Sequence, residues 1–210
     1  MSFTPIRSAA IAAALLATFT TAHANVTYTF DTDAQGFSIV GDGLLEHITE
    51  AANGFLKITD TNGSTDVLLN VPLGAASVDW SAYLGGTLSF DGIMLNGLPP
   101  SWPDFGTIRF TDINNQVVLA DLASPNEPGA TWKTYTATLD SATFANQGGA
   151  SLASVLANLA SVTLSAEAGN GPVEIVGIDN FRVMAVPEPS TWALMLAGLA
   201  GMAWATRRRT

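Results

Sequence analysis

Residues Thr131–Leu139 read TWKTYTATL. Counting in twos puts Trp132, Thr134, Thr136 and Thr138 on one side, and Lys133, Tyr135, Ala137 and Leu139 on the other. Four threonines in this stretch favour extended backbone, because a branched Cβ fits a pleated surface better than a helix. The stretch therefore reads as a strand with one face on a core.

The same period recurs on both sides. It is found in GGTLSFDGIML (Gly85–Leu95), GTIRFTD (Gly106–Asp112), QVVLADL (Gln116–Leu122), SVTLSAEA (Ser161–Ala168) and VEIVGIDNFRVMAV (Val173–Val186). Near the start, NVTYTF (Asn25–Phe30) aligns Val26, Tyr28 and Phe30. Asn114-Asn115 is a turn between two of these strands. Asn62-Gly63, between GFLKIT and DVLLNVP, is the dipeptide of a tight hairpin, and a hairpin is expected there. SLASVLANLA (Ser151–Ala160) has apolar residues at 152, 155, 156 and 159, which predicts one short helix. At least eight short strands with turns between them predict an all-β sandwich or barrel. The strand order with one late helix fits a jelly-roll sandwich, and residues 25–185 are its expected extent.

Charge is unevenly distributed. Residues 25–185 hold 17 acidic and 4 basic side chains, a net of −13. Such a surface repels nucleic acid and anionic lipid, and suits neutral partners or divalent cations. The chain has no cysteine, which excludes disulfides, thiolate metal sites and a lipidated cysteine.

Both ends differ from the middle. In residues 1–24, Arg7 precedes an apolar stretch and then Ala22-His23-Ala24, the layout of a secretory signal peptide cleaved after Ala24. At the other end, residues 186–210 contain Pro187-Glu188-Pro189, then 15 uncharged residues (Thr191–Ala205), then Arg207, Arg208 and Arg209. As a helix the uncharged run reaches roughly 22 Å, short of the ~30 Å hydrocarbon core. Trp192 and Trp204 at the interfaces and snorkelling arginines extend it into a transmembrane helix. The arginines act as the membrane stop on the cytoplasmic side, so the preceding domain lies outside.

A Pro-Glu-Pro triplet, an apolar helix and a basic tail in this order resemble the PEP-CTERM sorting signal of Gram-negative bacteria. The resemblance implies inner-membrane anchoring, then recognition of Pro187-Glu188-Pro189 by an exosortase-type membrane protease, which removes the tail and passes the protein toward the surface. The prolines keep that site extended. In the middle, PLGAASVDWSAYLGGTLSFD (Pro72–Asp91), TWKTYTATLDSATF, LASVLANLASVTLSAE and VGIDNFRV resemble laminin B (domain IV), of the galactose-binding-like jelly rolls. That likeness spans about residues 28–183 and implies fold more than function.

No residue set announces catalysis. His47 is the single histidine after residue 24, in GLLEHITE, and reads as a surface or strand histidine. Nucleophile-elbow, phosphate-loop and zinc-protease motifs are missing, and no pair of acids is singled out for glycoside hydrolysis. The expectation is a non-enzyme. Resemblance to jelly-roll carbohydrate modules makes Asp31, Asp33 and Asp179 candidates for a structural Ca2+ ion. A second acidic stretch, DTNGSTD (Asp60–Asp66), departs from the EF-hand pattern and reads as a turn. Among aromatic residues, Trp80, Tyr83 and Trp132 fall in the laminin-like segments and read as core. Trp102 and Phe105, in the proline-rich stretch NGLPPSWPDFG, are the candidates for stacking on sugar. The leading expectation is an exported surface or matrix protein that associates with exopolysaccharide. The alternatives are a protein–protein interaction module and a polysaccharide hydrolase.

Overall fold

The computed structural model describes residues 25–50, 53–63, 66–97, 104–147, 149–169 and 174–186. The expected signal peptide with Ala22 and Ala24, the Pro187-Glu188-Pro189 motif, the apolar tail, Arg207–Arg209 and Trp102 lie outside the described residues.

Among the described residues, twelve strands, one 3-10 turn (Ser81–Tyr83) and one helix follow in order. The strands are β1 (Val26–Tyr28), β2 (Ser38–Val40), β3 (Gly43–Glu50), β4 (Asn53–Asp60), β5 (Leu68–Asn70), β6 (Thr87–Met94), β7 (Thr107–Asp112), β8 (Val117–Asp121), β9 (Lys133–Thr138), β10 (Ala145–Asn146), β11 (Leu159–Ser165) and β12 (Ile175–Met184). The helix, α1, spans Leu152–Leu156. Two six-stranded antiparallel sheets result. The first has the order β3-β4-β12-β6-β9, with β1 also paired to β12. The second has the order β10-β8-β7-β11-β5-β2. This is a jelly-roll sandwich, as the alternating sequence predicts.

The core lies between the sheets. Phe30, Phe90, Phe105, Phe110 and Phe181 are fully buried there. Phe90 stacks on Tyr135 with ring centroids 5.2 Å apart, and Phe110 on Phe144 at 5.1 Å. Gly92 occupies an inward position of β6, where a Cβ would stand 2.8 Å from the Phe105 ring. A larger residue there would displace that ring.

β12 carries the central device of the first sheet. Its inward residues are Val176 and Ile178, then Phe181 and Val183. The spacing slips by one between Ile178 and Phe181. A register shift between Asp179 and Arg182 absorbs the extra residue, with Asn180 at φ 51. Without this bulge the alternation would turn Arg182 into the core and Phe181 to solvent. One edge of β12 pairs with β6 along most of its length. The other edge is divided between β4 and β1. The described segment therefore begins and ends on adjacent strands, with Val26 opposite Val183.

Two expectations need correction. Asn62-Gly63 does not close a hairpin, because β4 pairs with β3 and β12 in one sheet and β5 pairs with β11 and β2 in the other. Both edges of β4 are taken, so the turn carries the chain across the sandwich. The partner on its outer side, β3, is GLLEHITE, whose half-buried faces give no clear alternation. The helix is also shorter than its spacing suggests. Ser151 Oγ caps its start, accepting from the Ser154 N–H at 3.2 Å. Leu159 exchanges backbone hydrogen bonds with Val78 (3.0 and 2.9 Å), which commits the chain to a strand.

Phe181→Ala should lower the unfolding free energy by about 3–5 kcal/mol in denaturant melts. Leu44→Ala, on an exposed face, should change it by no more than about 0.5 kcal/mol.

Candidate functional site

Strand pairing sets the outer face of the second sheet. Leu119, Arg109, Thr163 and Asn70 stand side by side across β8, β7, β11 and β5. One step along, Asp121 faces Thr107, and Ser165 faces Leu68. With Asp66 and Asp104 these side chains, Asn70 excepted, line an open groove of about 290 Å³. Threonine and serine hydroxyls, one guanidinium and three carboxylates converge there, while Leu68 on β5 and Leu119 on β8 add apolar side chains on either flank. Asp121 Oδ1 is fixed by the N–H groups of Ala123 (2.9 Å) and Ser124 (3.0 Å). Arg109 has no ion-pair partner among the described residues, where the recorded pair is Lys57–Glu46 at 2.7 Å. No aromatic ring is among the described lining residues. A hollow beside α1 is more apolar; of its polar members, Asp140 fixes a turn by accepting from the Thr143 N–H and Ser151 caps α1.

The outer face of the first sheet is different. Asp179, Asp91 and Thr134 form one row across β12, β6 and β9, with Phe55 next to the last paired residue of β4, Leu56. In the next row Lys57, Gly177 and Ile93 lead toward Trp132. Trp132 meets Phe55 edge-on at 5.4 Å, and its six-membered ring lies over Gly177, where a Cβ would come within 2.9 Å. Trp132 remains 42% exposed. The reading of Trp132 as core is thus overturned, whereas Trp80 and Tyr83 are buried as expected. The signal was present in the sequence: alternation groups Trp132 with the outward threonines, not with Tyr135 and Leu139.

The other candidates separate. Phe105 has no exposed surface, so its ring cannot stack on a sugar, and that expectation is corrected. Its apolar ring instead fills the space above Gly92. Asp33 Oδ1 accepts from the Gln35 N–H at 2.7 Å, and Gln35 Oε1 in turn accepts from the Phe30 N–H at 2.9 Å. Asp33 is therefore a turn former. Asp31 Oδ2 accepts from the Thr29 hydroxyl at 2.7 Å. Asp179 accepts from the Asn180 N–H (2.6 Å), Asn180 Nδ2 (3.1 Å) and Asn53 Nδ2 (3.3 Å). Burial is the main cause that pushes its carboxyl above the usual range, with Asp91 and Asp31 adding to the shift. The three aspartates do not gather into one triad, and among the described residues no group of three His, Cys, Asp or Glu side chains has metal-holding spacing. His47 Nε2 lies 2.6 Å from the Phe30 carbonyl oxygen and donates to it, a structural contact in keeping with a strand histidine.

Residues 185–209 match the PEP-CTERM protein-sorting motif, the mark of an exported protein that is membrane-anchored before processing. No curated protein sequence matches the chain. Among solved structures, an exo-β-agarase shares 18% identity at a TM-score of 0.52, over 77% of this chain and 25% of its own. The family 30 carbohydrate-binding module of a Clostridium thermocellum cellulosomal cellulase shares 13% at 0.50, over 78% of this chain and 92% of the module. The L4b domain of human laminin alpha-2 shares 10% at 0.48, over 58% and 71%. At such identities the first two likenesses concern the fold. The chain is a jelly-roll sandwich followed by a PEP-CTERM sorting motif.

Acrylamide quenching of residues 25–185 reads the tryptophan placement directly. Trp132→Phe should lower the quenchable fraction of the fluorescence, and Trp80→Phe should leave it unchanged. Equal quenching in the two variants would put Trp132 in the interior.

Proposed function

We propose that this is a non-catalytic surface or matrix protein that associates with extracellular polysaccharide through the groove on the second sheet. The observation that carries this reading is the groove lining: hydroxyls, carboxylates and Arg109 between two leucines, on a strand-built surface. Sugar hydroxyls both donate and accept hydrogen bonds, and mixed polar side chains on rigid strands suit them. Trp102, the sequence's candidate for stacking on sugar, lies two positions before the groove residue Asp104 in the chain, and this reading keeps it as a candidate sugar contact. Architecture shared with a carbohydrate-binding module supports the same reading at the level of fold. An exosortase-type protease would remove the tail after the Pro-Glu-Pro motif. A structural calcium ion, if bound near the terminal strands, would use Asp31 and Asp179, which already act on one another.

A second reading, docking of a protein partner on the first sheet, is favoured by exposed Trp132 beside Phe55 and Ile93, since interfaces enrich tryptophan.

The deciding experiment is a pull-down of residues 25–185 with the host's own exopolysaccharide, with and without calcium. Saturable binding is expected. Arg109→Ala and Trp102→Ala should each weaken it by about tenfold, equivalent to ~1.4 kcal/mol, with unchanged melting temperature. Binding that survives both changes would move the site off this groove, and loss on Trp132→Ala alone would favour the first sheet. Steady release of reducing ends would make the protein a hydrolase. Equal melting points in millimolar calcium and in chelator would remove the ion from the proposal. Recovered mature protein should end near Pro189, and a mass that includes Arg209 would show an uncut anchor.

A further inference from the structure

Three buried carboxylates, Asp60, Glu167 and Glu174, lie at one end of the sandwich, within electrostatic reach of Asp42 and Asp66. Asp60 closes β4 and Glu174 directly precedes β12; the Asp60 N–H donates to the Glu174 carbonyl at 3.0 Å, so they are neighbours in the first sheet. Glu167 follows β11 in the second sheet. All three are buried, with exposures of 1% for Asp60, 3% for Glu174 and 6% for Glu167. Each has one oxygen satisfied by the backbone. Asp60 Oδ1 accepts from the Asn62 N–H (2.9 Å), Glu174 Oε1 from the Ala168 N–H (2.7 Å) and Glu167 Oε2 from the Val67 N–H (3.2 Å). The other oxygen of Asp60 (Oδ2) is buried without a hydrogen-bond partner among the described residues, and that of Glu174 (Oε2) is buried against Gly169, whose backbone N–H also acts on this carboxyl.

The charges acting on this group are negative. Asp60, Asp66 and Asp42 act on Glu167, and Glu167 and Asp60 act on Glu174. The basic side chains are engaged elsewhere. Lys57 pairs with Glu46, Lys133 reaches the Asn126 carbonyl, Arg182 reaches Asn180, and Arg109 lies in the groove that Asp66 also lines. The adjoining residues 64–65 and 170–173 contain no titratable side chain. Burial, the largest cause, pushes both Glu167 and Glu174 up to about 7.

A buried carboxylate oxygen without a donor is costly, and two anions without a counter-charge are costlier. A proton answers both needs, since it cancels one charge and turns an acceptor into a donor. No metal-holding group of side chains is present among the described residues, which leaves the proton as the counter-charge that fits.

We propose that Glu167 and Glu174, packed with buried Asp60, form a proton-operated latch between the two sheets, closed while the two glutamates hold protons, and that its ionisation loosens the groove edge carrying Asp66 and Ser165. The connection to that edge is direct. The Glu167 N–H donates to Ser165 Oγ at 3.3 Å, and its carboxylate holds the amide of Val67, next to Asp66. The proposal is independent of what the groove binds.

The sign follows from linkage. The folded-state values lie above the unfolded ones, so the folded chain binds more protons in between. The stabilisation is complete below the usual carboxylate range and is lost as pH rises through about 7. For the full-length chain in detergent, the melting temperature should fall by roughly 5–10 °C between pH 5 and pH 8. In the Glu167→Gln/Glu174→Gln double variant the fall should be largely abolished. A flat or rising native profile, or the same slope in the variant, would overturn the proposal. If the variant does not fold, the infrared band of protonated carboxyl groups decides on the native chain: present at pH 6 and gone at pH 9 supports the latch, and absent at pH 6 sinks it. Hydrogen exchange over residues 66–70 and 165–169, corrected for intrinsic rate, should quicken at pH 8, and no change would count against the coupling to the groove. Calcium chloride that erases the native pH slope would replace the proton with a metal ion and overturn the idea.

Discussion

The arrangement depends on the bulge in β12. An alternating strand can keep its apolar residues on one face only while the count of two is unbroken. In VGIDNFRV the count breaks, and one extra residue restores it by taking Asn180 into left-handed backbone. Val176, Ile178, Phe181 and Val183 then all reach the core. The bulge also sits where the second edge of β12 changes partner from β4 to β1. Asn180 holds the kink from both sides, donating to Asp91 Oδ2 at 2.9 Å and to Asp179 Oδ2 at 3.1 Å. Arg182 reaches Asn180 Oδ1 at 2.8 Å. One irregularity thus sets the phase of the core, the junction of three strands and the polar row on the outer face.

Most of the sandwich was legible because its strands bury one face and wet the other. β6, β7 and β8 alternate along their length and β9 from Thr134 on, and the structure pairs them as such. What failed had a common cause, since local sequence does not say which edge is already taken. Asn62-Gly63 has the chemistry of a hairpin, yet neither flanking strand had an edge to offer the other. β2 and β10 are too short, at 3 and 2 residues, to show a period. Their existence follows from the neighbours that need pairing.

The site was less legible than the fold. A groove draws its lining from strands distant in sequence, and Leu68, Arg109, Leu119 and Thr163 have nothing in common until register places them together. Composition marked the acidity but not its division. Some carboxylates line the open groove, some fix turns, and three are shut between the sheets. The stretch Asp60–Asp66 shows this well: its first acid is buried and its last lines the groove. Phe105 and Trp132 exchanged roles for a similar reason. Loop composition suggested exposure for one and motif membership suggested burial for the other, and in each case the packing around a glycine decided otherwise.

The pairing of β1 with β12 also has a mechanical meaning. A chain leaving the sandwich after Met184 departs from a strand clamped along both edges. A pull on a tethered tail would load β12 along its length, across hydrogen bonds that run perpendicular to it. Those bonds then share the load in shear instead of peeling one at a time. Load applied at the end of the described segment is thereby taken by its best-tied strand.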